Sequence, residues 1–234
     1  MFIFKSKNIG KIIGLQRPVK QMSIRDQWLL SAIQRRVRLS EKRFISQYGL
    51  PQLNLNIDER VCFETIGPQR PIYSSTPPEA LLHVLFKIRF PQGSRFADWG
   101  SGFGSACFAA ALTRSFKEIV GYEIDQRLSN EAEKIRIKCN WNNALTNVRF
   151  ENKNFLEVDP QPQSVIFIYW PFFDNFSKLM SEKLKNIKPG TFIVSHAYHD
   201  TKVFSRDHFK LIYPDHLDFS TPDFLPGIYV FIRK

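Results

Sequence analysis

The residues best suited to chemistry lie within positions 95–125, where glycines and acids follow two short apolar runs. They are Asp98, Gly100, Gly102, Gly104 and Glu123. Glycines let a backbone turn with positive φ and approach a ligand more closely than a Cβ allows. An acid about 20 positions later can accept hydrogen bonds from both hydroxyls of a ribose. The pattern favours half of a nucleotide-binding α/β unit over a glycine-rich turn without a ligand.

The spacing also distinguishes between nucleotide cofactors. A dinucleotide fingerprint that starts at Gly100 would need glycine or alanine at position 105, where this chain has Ser105. That fingerprint does not call for an acid before its first glycine, whereas Asp98 stands there in the pattern D-x-G-x-G-x-G. The loop therefore indicates a cofactor other than a nicotinamide or flavin dinucleotide.

Apolar and amphipathic segments alternate around this loop, as a doubly wound parallel sheet requires. The predicted strands cover residues 95–98, 118–123, 147–152, 164–170 and 191–195, with a terminal pair at 210–213 and 227–233. The predicted helices cover residues 23–48, 103–116, 125–139 and 176–187, and a further helix follows Thr76 as its N-cap. The sequence thus predicts an α/β, Rossmann-like fold with a helical N-terminal extension.

Ligands of such sheets bind beyond the carboxyl ends of the strands, where the strand order reverses. Asn154 and Phe155 follow the third strand, and we expect an amide contact to adenine and a ring over its face, or else a turn residue and a core residue. The aromatic run after the fourth strand favours a narrow channel for an amine over a plain hydrophobic strand end. This run comprises Tyr169, Trp170, Pro171, Phe172 and Phe173. His196 after the fifth strand is either a proton acceptor or a hydrogen-bonded core histidine.

The net charge of +11 is concentrated at the N-terminus, where residues 1–43 hold eleven Lys or Arg and two acids. Such a surface attracts nucleic acid or another acidic partner, although a basic helix is also often only a solvated face. The three cysteines, Cys62, Cys107 and Cys139, form no metal or redox pair, which favours a reducing compartment and no structural metal. We expect a cytoplasmic protein without a transmembrane segment.

The D-W-G-S-G-F-G loop resembles motif I of the seven-strand, class I S-adenosylmethionine-dependent methyltransferases. A wider resemblance covers most of residues 71–233 through S-T-P-P-E-A, G-Y-E-I, V-I-F-I-Y, K-L-K-N-I-K-P-G-T-F-I-V-S-H and I-Y-V-F. These segments are similar to the ATP-synthase c-subunit lysine methyltransferase-like group and, more distantly, to the Dot-type, non-SET histone lysine methyltransferases. The N-terminal 70 residues show no resemblance, so we divide the chain into an extension at 1–70 and a methyltransferase domain at 71–234.

The resemblance implies S-adenosyl-L-methionine as cofactor and an amine acceptor, with protein lysine first. It implies cofactor roles for Thr76, Asp98, Gly100, Gly102, Glu123 and Asn154, and it places Tyr73 to Pro77 in a loop over the cofactor. Trp99 and Phe103 are bulkier than the resemblance leads us to expect, and Asn154 replaces a frequent Asp.

Two other functions stay open at this point. Enzymes that methylate an exocyclic amine of a nucleic-acid base carry a short polar residue and two prolines after the fourth strand. This chain has Tyr169 and Trp170 in the first two of these positions, which is a poor match. A non-catalytic cofactor-binding scaffold is the third reading, since methyl transfer from a sulfonium has no obligatory catalytic acid or base.

Overall fold

A mixed sheet of seven strands organises the computed structural model, which describes residues 22–48, 76–169, 175–196, 203–214 and 227–234. The strands are β1 (Ser94–Trp99), β2 (Phe116–Glu123), β3 (Val148–Asn152), β4 (Val165–Tyr169), β5 (Phe192–His196), β6 (Phe209–Tyr213) and β7 (Ile228–Arg233). Their order is β3-β2-β1-β4-β5-β7-β6. Strands β1 to β5 run parallel to one another, and β7 is antiparallel to both β5 and β6. The order reverses between β1 and β4, so the predicted α/β fold is confirmed.

Helices cover both faces of the sheet, which explains why β1 and β4 are buried along almost their whole length. The helices are α1 (Ile24–Tyr48), α2 (Pro78–Lys87), α3 (Ser105–Leu112), α4 (Gln126–Cys139) and α5 (Asn175–Lys185). Single 3-10 turns lie at Trp141–Asn143 and Phe155–Glu157. One hydrophobic core includes buried residues of α1 to α4, and a second includes Met180 and Leu184 of α5.

Two predicted helix boundaries are wrong. Helix α3 was expected to continue to Phe116, but Arg114 adopts a positive φ of 58° and Phe116 begins β2 instead. Burial of the Phe116 ring against Phe96, with 5.2 Å between the ring centroids, stabilises this exchange of helix for strand. Thr76 was expected to cap α2, yet Pro77 occupies the N-cap position and no side chain caps the helix.

Helix α1 begins after Ser23, whose hydroxyl oxygen accepts a hydrogen bond from the Asp26 amide at 3.1 Å. Its buried face belongs to the same core as α2 and α3, and it consists of Leu29, Leu30, Ile33, Val37 and Phe44. An ion pair of 2.8 Å between Asp26 and Arg114 also joins α1 to the end of α3. Trp28 and Ile45 are exposed although they are apolar, because the helix turns Leu30 and Ser40 inward instead.

The division of the chain at residue 70 stays a prediction, because positions 49–75 lie outside the described residues. The end of the predicted extension, residues 49–70, and residues 73–75 of the predicted loop over the cofactor fall in that range. Within the described ranges, no helix combines the length and the apolar character needed to cross a bilayer. The same ranges contain no cluster of three His, Cys, Asp or Glu side chains that could hold a metal ion.

Candidate active site

The glycine loop joins β1 to α3 at the point where the strand order reverses. Gly100 and Gly104 have φ values of +91° and +84°, which favour glycine over residues with a Cβ. A Cβ at Gly104 would overlap the Phe150 ring, whereas a Cβ at Gly100 would meet no atom within 4 Å. Gly104 is therefore required by packing against β3, and Gly100 borders open space that a ligand can fill.

Glu123 fixes this loop to the end of β2. One carboxylate oxygen accepts a hydrogen bond of 2.7 Å from the Gly102 amide, and the other accepts one of 3.0 Å from the Asp125 amide. Burial raises the pKa of Glu123 above its ordinary value, and the hydrogen bonds from Asp125 and Gly102 oppose that rise. We call these two hydrogen bonds the Glu123 clamp. Each carboxylate oxygen can accept more than one hydrogen bond, so the Glu123 clamp leaves capacity for two ligand hydroxyls.

Asp98 lies at the end of β1 and is buried close to Glu123. Burial and, second, repulsion from Glu123 raise the pKa of Asp98 to about 8, against the effect of a hydrogen bond from the Cys107 thiol. That bond is 3.7 Å long, and burial and the Asp98 charge raise the pKa of Cys107 well above its ordinary value. Without a ligand, Asp98 is mostly protonated at neutral pH. A cation in the crevice would favour its ionised form.

A second group of side chains lies at the carboxyl ends of β4 and β5. Tyr169 and His196 are paired in register, and their rings meet edge to face with 5.1 Å between centroids. The Nδ1 atom of His196 lies 2.8 Å from the hydroxyl oxygen of Thr76, just before α2. Burial lowers the pKa of His196 to about 4, so its imidazole is neutral at neutral pH. Thr76 was expected at the cofactor, and its contact with His196 could not be predicted from the sequence.

The turn after β3 presents Asn154 and Phe155. The side-chain oxygen of Asn154 caps the turn by accepting a hydrogen bond of 3.0 Å from the Leu156 amide, and its amide nitrogen lies 3.4 Å from Glu157. Phe155 stacks on Trp99, with 5.5 Å between centroids and 10° between ring planes. These contacts already use one face of the Phe155 ring and one lone pair of the Asn154 oxygen. Neither contact involves a ligand, so the adenine roles of both residues stay predictions.

Trp99 is a residue whose role the sequence did not explain. It is almost fully buried, and the ammonium group of Lys183 lies 5.5 Å from its ring centroid. That ammonium donates hydrogen bonds of 2.7 and 2.6 Å to the carbonyl oxygens of Leu156 and Val158. Trp99 thus holds the turn after β3 beside the glycine loop. No short-range sequence signal links Trp99 to Lys183, because they are far apart in the chain.

Phe103, the other bulky loop residue, is buried and meets Phe44 of α1 edge to face, with 5.9 Å between the ring centroids. A large ring is accommodated in the glycine loop because α1 covers it. Tyr73, Trp170, Pro171 and Phe172 lie outside the described residues, so the predicted amine channel and the loop over the cofactor stay predictions.

The family model described as histone methylation protein DOT1 matches residues 68–212, which is more than half of the chain. The matched segment contains every site residue described above, from Thr76 to His196. The chain belongs to the DOT1 family. It is therefore an S-adenosyl-L-methionine-dependent methyltransferase of class I, as the resemblance implied. No curated protein sequence matches the chain significantly.

The fold of this DOT1-family chain is similar to that of a solved methyltransferase structure. An RNA methyltransferase from Salinibacter ruber, in complex with S-adenosyl-L-homocysteine, aligns with a TM-score of 0.51 and 22% identity over 68% of this chain and 93% of that one. The tRNA (m1A58) methyltransferase TrmI from Aquifex aeolicus aligns with a TM-score of 0.48 and 15% identity, over 69% of this chain and 70% of that one. The likeness to the Salinibacter ruber enzyme, at 22% identity, establishes the fold alone.

The described residues fit the methyl donor of the DOT1 family. Gly100 borders open space in the loop that leads into α3, and the first N–H groups of a helix favour a negatively charged ligand group. Glu123 retains hydrogen-bonding capacity for ribose hydroxyls, and Asp98 and Glu123 together favour a cationic group such as an ammonium. The roles of the individual residues in cofactor binding stay predictions.

Substitutions at Gly104 and Gly100 distinguish the effect of core packing on stability from the effect of ligand access on cofactor binding. Gly104→Ala should lower the free energy of unfolding by about 3 kcal/mol, because the new methyl group overlaps Phe150 at a strained φ. Gly100→Ala should lower it by only about 1–2 kcal/mol, the left-handed backbone cost, while weakening cofactor binding at least about tenfold. Denaturant unfolding and calorimetric titration with S-adenosyl-L-homocysteine measure the two effects. Unchanged cofactor affinity in folded Gly100→Ala would exclude ligand approach at this glycine.

Asp98 predicts a pH dependence of the cofactor-free protein. The pKa of Asp98 in the folded protein, about 8, exceeds the ordinary value of 3.8. Its contribution to stability is therefore complete below pH 3.8 and is lost as pH rises from there through 8. Between pH 5 and 7, the wild type should lose up to about 1.4 kcal/mol per pH unit relative to Asp98→Asn. Denaturant unfolding across this range tests the difference. Parallel curves for the two proteins would contradict the assignment.

Proposed function

We propose that the chain transfers a methyl group from S-adenosyl-L-methionine to an amine, and that the amine is a protein lysine. The DOT1 match carries this proposal, because the description of that family names histone methylation and the match spans the whole described site. The likeness to RNA methyltransferases lies in the fold and gives no support for an RNA substrate.

The bound cofactor supplies an electrophilic methyl group on a sulfonium, and displacement of the sulfide by an amine needs that amine uncharged and aligned. The protein's contribution is to desolvate, orient and position the amine. In favourable systems such positioning lowers the activation free energy by about 7–11 kcal/mol. The aromatic residues that follow β4 in the sequence suit this task, since aromatic faces attract cationic groups.

Tyr169 and His196 are the described side chains that we assign to the acceptor. They lie at the ends of β4 and β5, on the side of β1 away from Glu123. If Nδ1–H of His196 donates to the Thr76 oxygen, Nε2 is left as an acceptor for an N–H of the incoming amine. A pKa of about 4 makes His196 a weak base, so we assign it the orientation of the neutral amine and not the storage of its proton.

The acceptor class is tested with tritium in the methyl group of S-adenosyl-L-methionine and a cell extract. We expect label that protease removes and nuclease does not, and methylated lysine in the acid hydrolysate. Glu123→Ala is the matched control, and it should bind the cofactor at least about a hundredfold more weakly because it loses two ribose hydrogen bonds and the Glu123 clamp. Label that nuclease removes would identify a nucleic-acid methyltransferase, and cofactor binding without any transfer would favour a scaffold.

The role of His196 is tested by comparing two substitutions. His196→Phe should lower kcat about tenfold to a hundredfold with little change in cofactor affinity, and His196→Gln should recover part of that loss because its amide oxygen can accept the same hydrogen bond. The pH dependence of kcat between pH 6 and 8 should show no ionisation that disappears in His196→Gln. Such an ionisation would make His196 a general base, and equal loss in both variants would leave it only a packing role.

A further inference from the structure

The outer face of α1 is the side of the helix that points away from the core. At helical spacing it carries Ile24, Trp28, Arg35, Leu39 and Lys42 along its centre. All five side chains are exposed, and Ile24 and Trp28 are 74% and 71% accessible. A helix of 25 residues extends this face over about 37 Å.

Positive charge flanks that central line. Arg25 and Arg43 lie on one side and Arg38 on the other, and all three are exposed. The two acids of the helix, Asp26 and Glu41, fall on the opposite side by helical spacing, and Asp26 is paired with Arg114. The outer face therefore combines cations and large apolar groups without an acidic side chain to balance them.

Four of the eight large apolar side chains that are strongly exposed in the described residues lie on α1. They are Ile24, Trp28, Leu39 and Ile45. Scattered exposed apolar residues need no explanation, but a group that shares one helix with a row of cations marks an interaction surface. Cations beside exposed Trp and aliphatic side chains fit an anionic lipid surface, because Lys and Arg attract anionic headgroups while Trp and aliphatic groups enter the interface.

The charge of the outer face limits what can cover it. A second copy docked through the same face would bring like charges together, which opposes association. The N-terminal segment 1–21 is itself cationic, with five Lys or Arg and no acid, so its charge also opposes docking on this face. A nucleic acid would match the cations and would stack on Trp28, but it would leave Ile24 and Leu39 without a partner. A membrane with anionic lipids satisfies both the cations and the apolar groups.

We propose that the outer face of α1 docks the protein on anionic membranes. The helix lies parallel to the surface, with Ile24, Trp28 and Leu39 at the boundary between headgroups and acyl chains. The arginines and Lys42 contact lipid phosphates and carboxylates. Because α1 is held to the core by its opposite face, the catalytic domain is carried to the membrane with it.

The experiment measures co-sedimentation of the full chain with vesicles of phosphatidylcholine, with and without phosphatidylserine. We expect binding only to the anionic vesicles, weakened by added salt. The triple variant Arg35→Glu, Arg38→Glu, Lys42→Glu should lower the partition coefficient about a hundredfold, since each lost cation weakens binding about fivefold. Trp28→Ser with Leu39→Ser should also weaken binding, and Trp28→Phe should retain most of it.

The matched control reverses three exposed lysines elsewhere, in the variant Lys117→Glu, Lys188→Glu, Lys210→Glu. It has the same net charge as the first triple variant and should retain vesicle binding within about threefold, because these sites act only through screened, longer-range fields. Equal losses in the two triple variants would overturn docking through α1. Absence of vesicle binding would also overturn it, and face-dependent binding to labelled RNA in that case would assign the face to nucleic acid. Thermal unfolding verifies that each variant is folded.

Discussion

The site depends on a single buried carboxylate that bonds to backbone N–H groups on two sides. Glu123 closes the end of β2 by accepting hydrogen bonds from Gly102 in the glycine loop and from Asp125 at the start of α4. The Gly100 and Ser101 amides add bonds of 2.9 and 3.0 Å to the Tyr122 carbonyl oxygen. These contacts hold the loop across the end of β2, so the cofactor side of the crevice is preformed before any ligand binds.

Burial of two acids at the ends of adjacent strands makes this arrangement costly without a ligand. Asp98 and Glu123 each lose solvation, and the charge of Glu123 further disfavours ionisation of Asp98. A ligand that brings a cation and two hydroxyl groups removes both costs at once. The same acids that destabilise the ligand-free protein therefore favour a cofactor that carries an ammonium group and a ribose.

Much of this fold follows from local sequence pattern, because strand apolarity, the glycine loop and helix caps act over a few residues. The predicted strands lie within one or two residues of those observed, as at β4 and β5. What the pattern does not predict depends on contacts between distant segments. Trp99 contacts Phe155 and Lys183, and Thr76 contacts His196. The partners are far apart in the chain, so none of these contacts leaves a short-range signal in the sequence. The rotation of α1 that exposes Trp28 likewise follows from how Leu30 and Ile33 pack against the core.

Helix α1 lies between the glycine loop and the exposed surface of the domain. Its inner face places Phe44 against Phe103 of the glycine loop, and its outer face bears the cations and Trp28. The two faces use different side chains, because residues three and four apart share a face of a helix and those on opposite faces meet different neighbours. Substitution of exposed side chains on the outer face therefore leaves the packing of the glycine loop against Phe44 in place, so binding at the surface and order at the cofactor site can be measured separately.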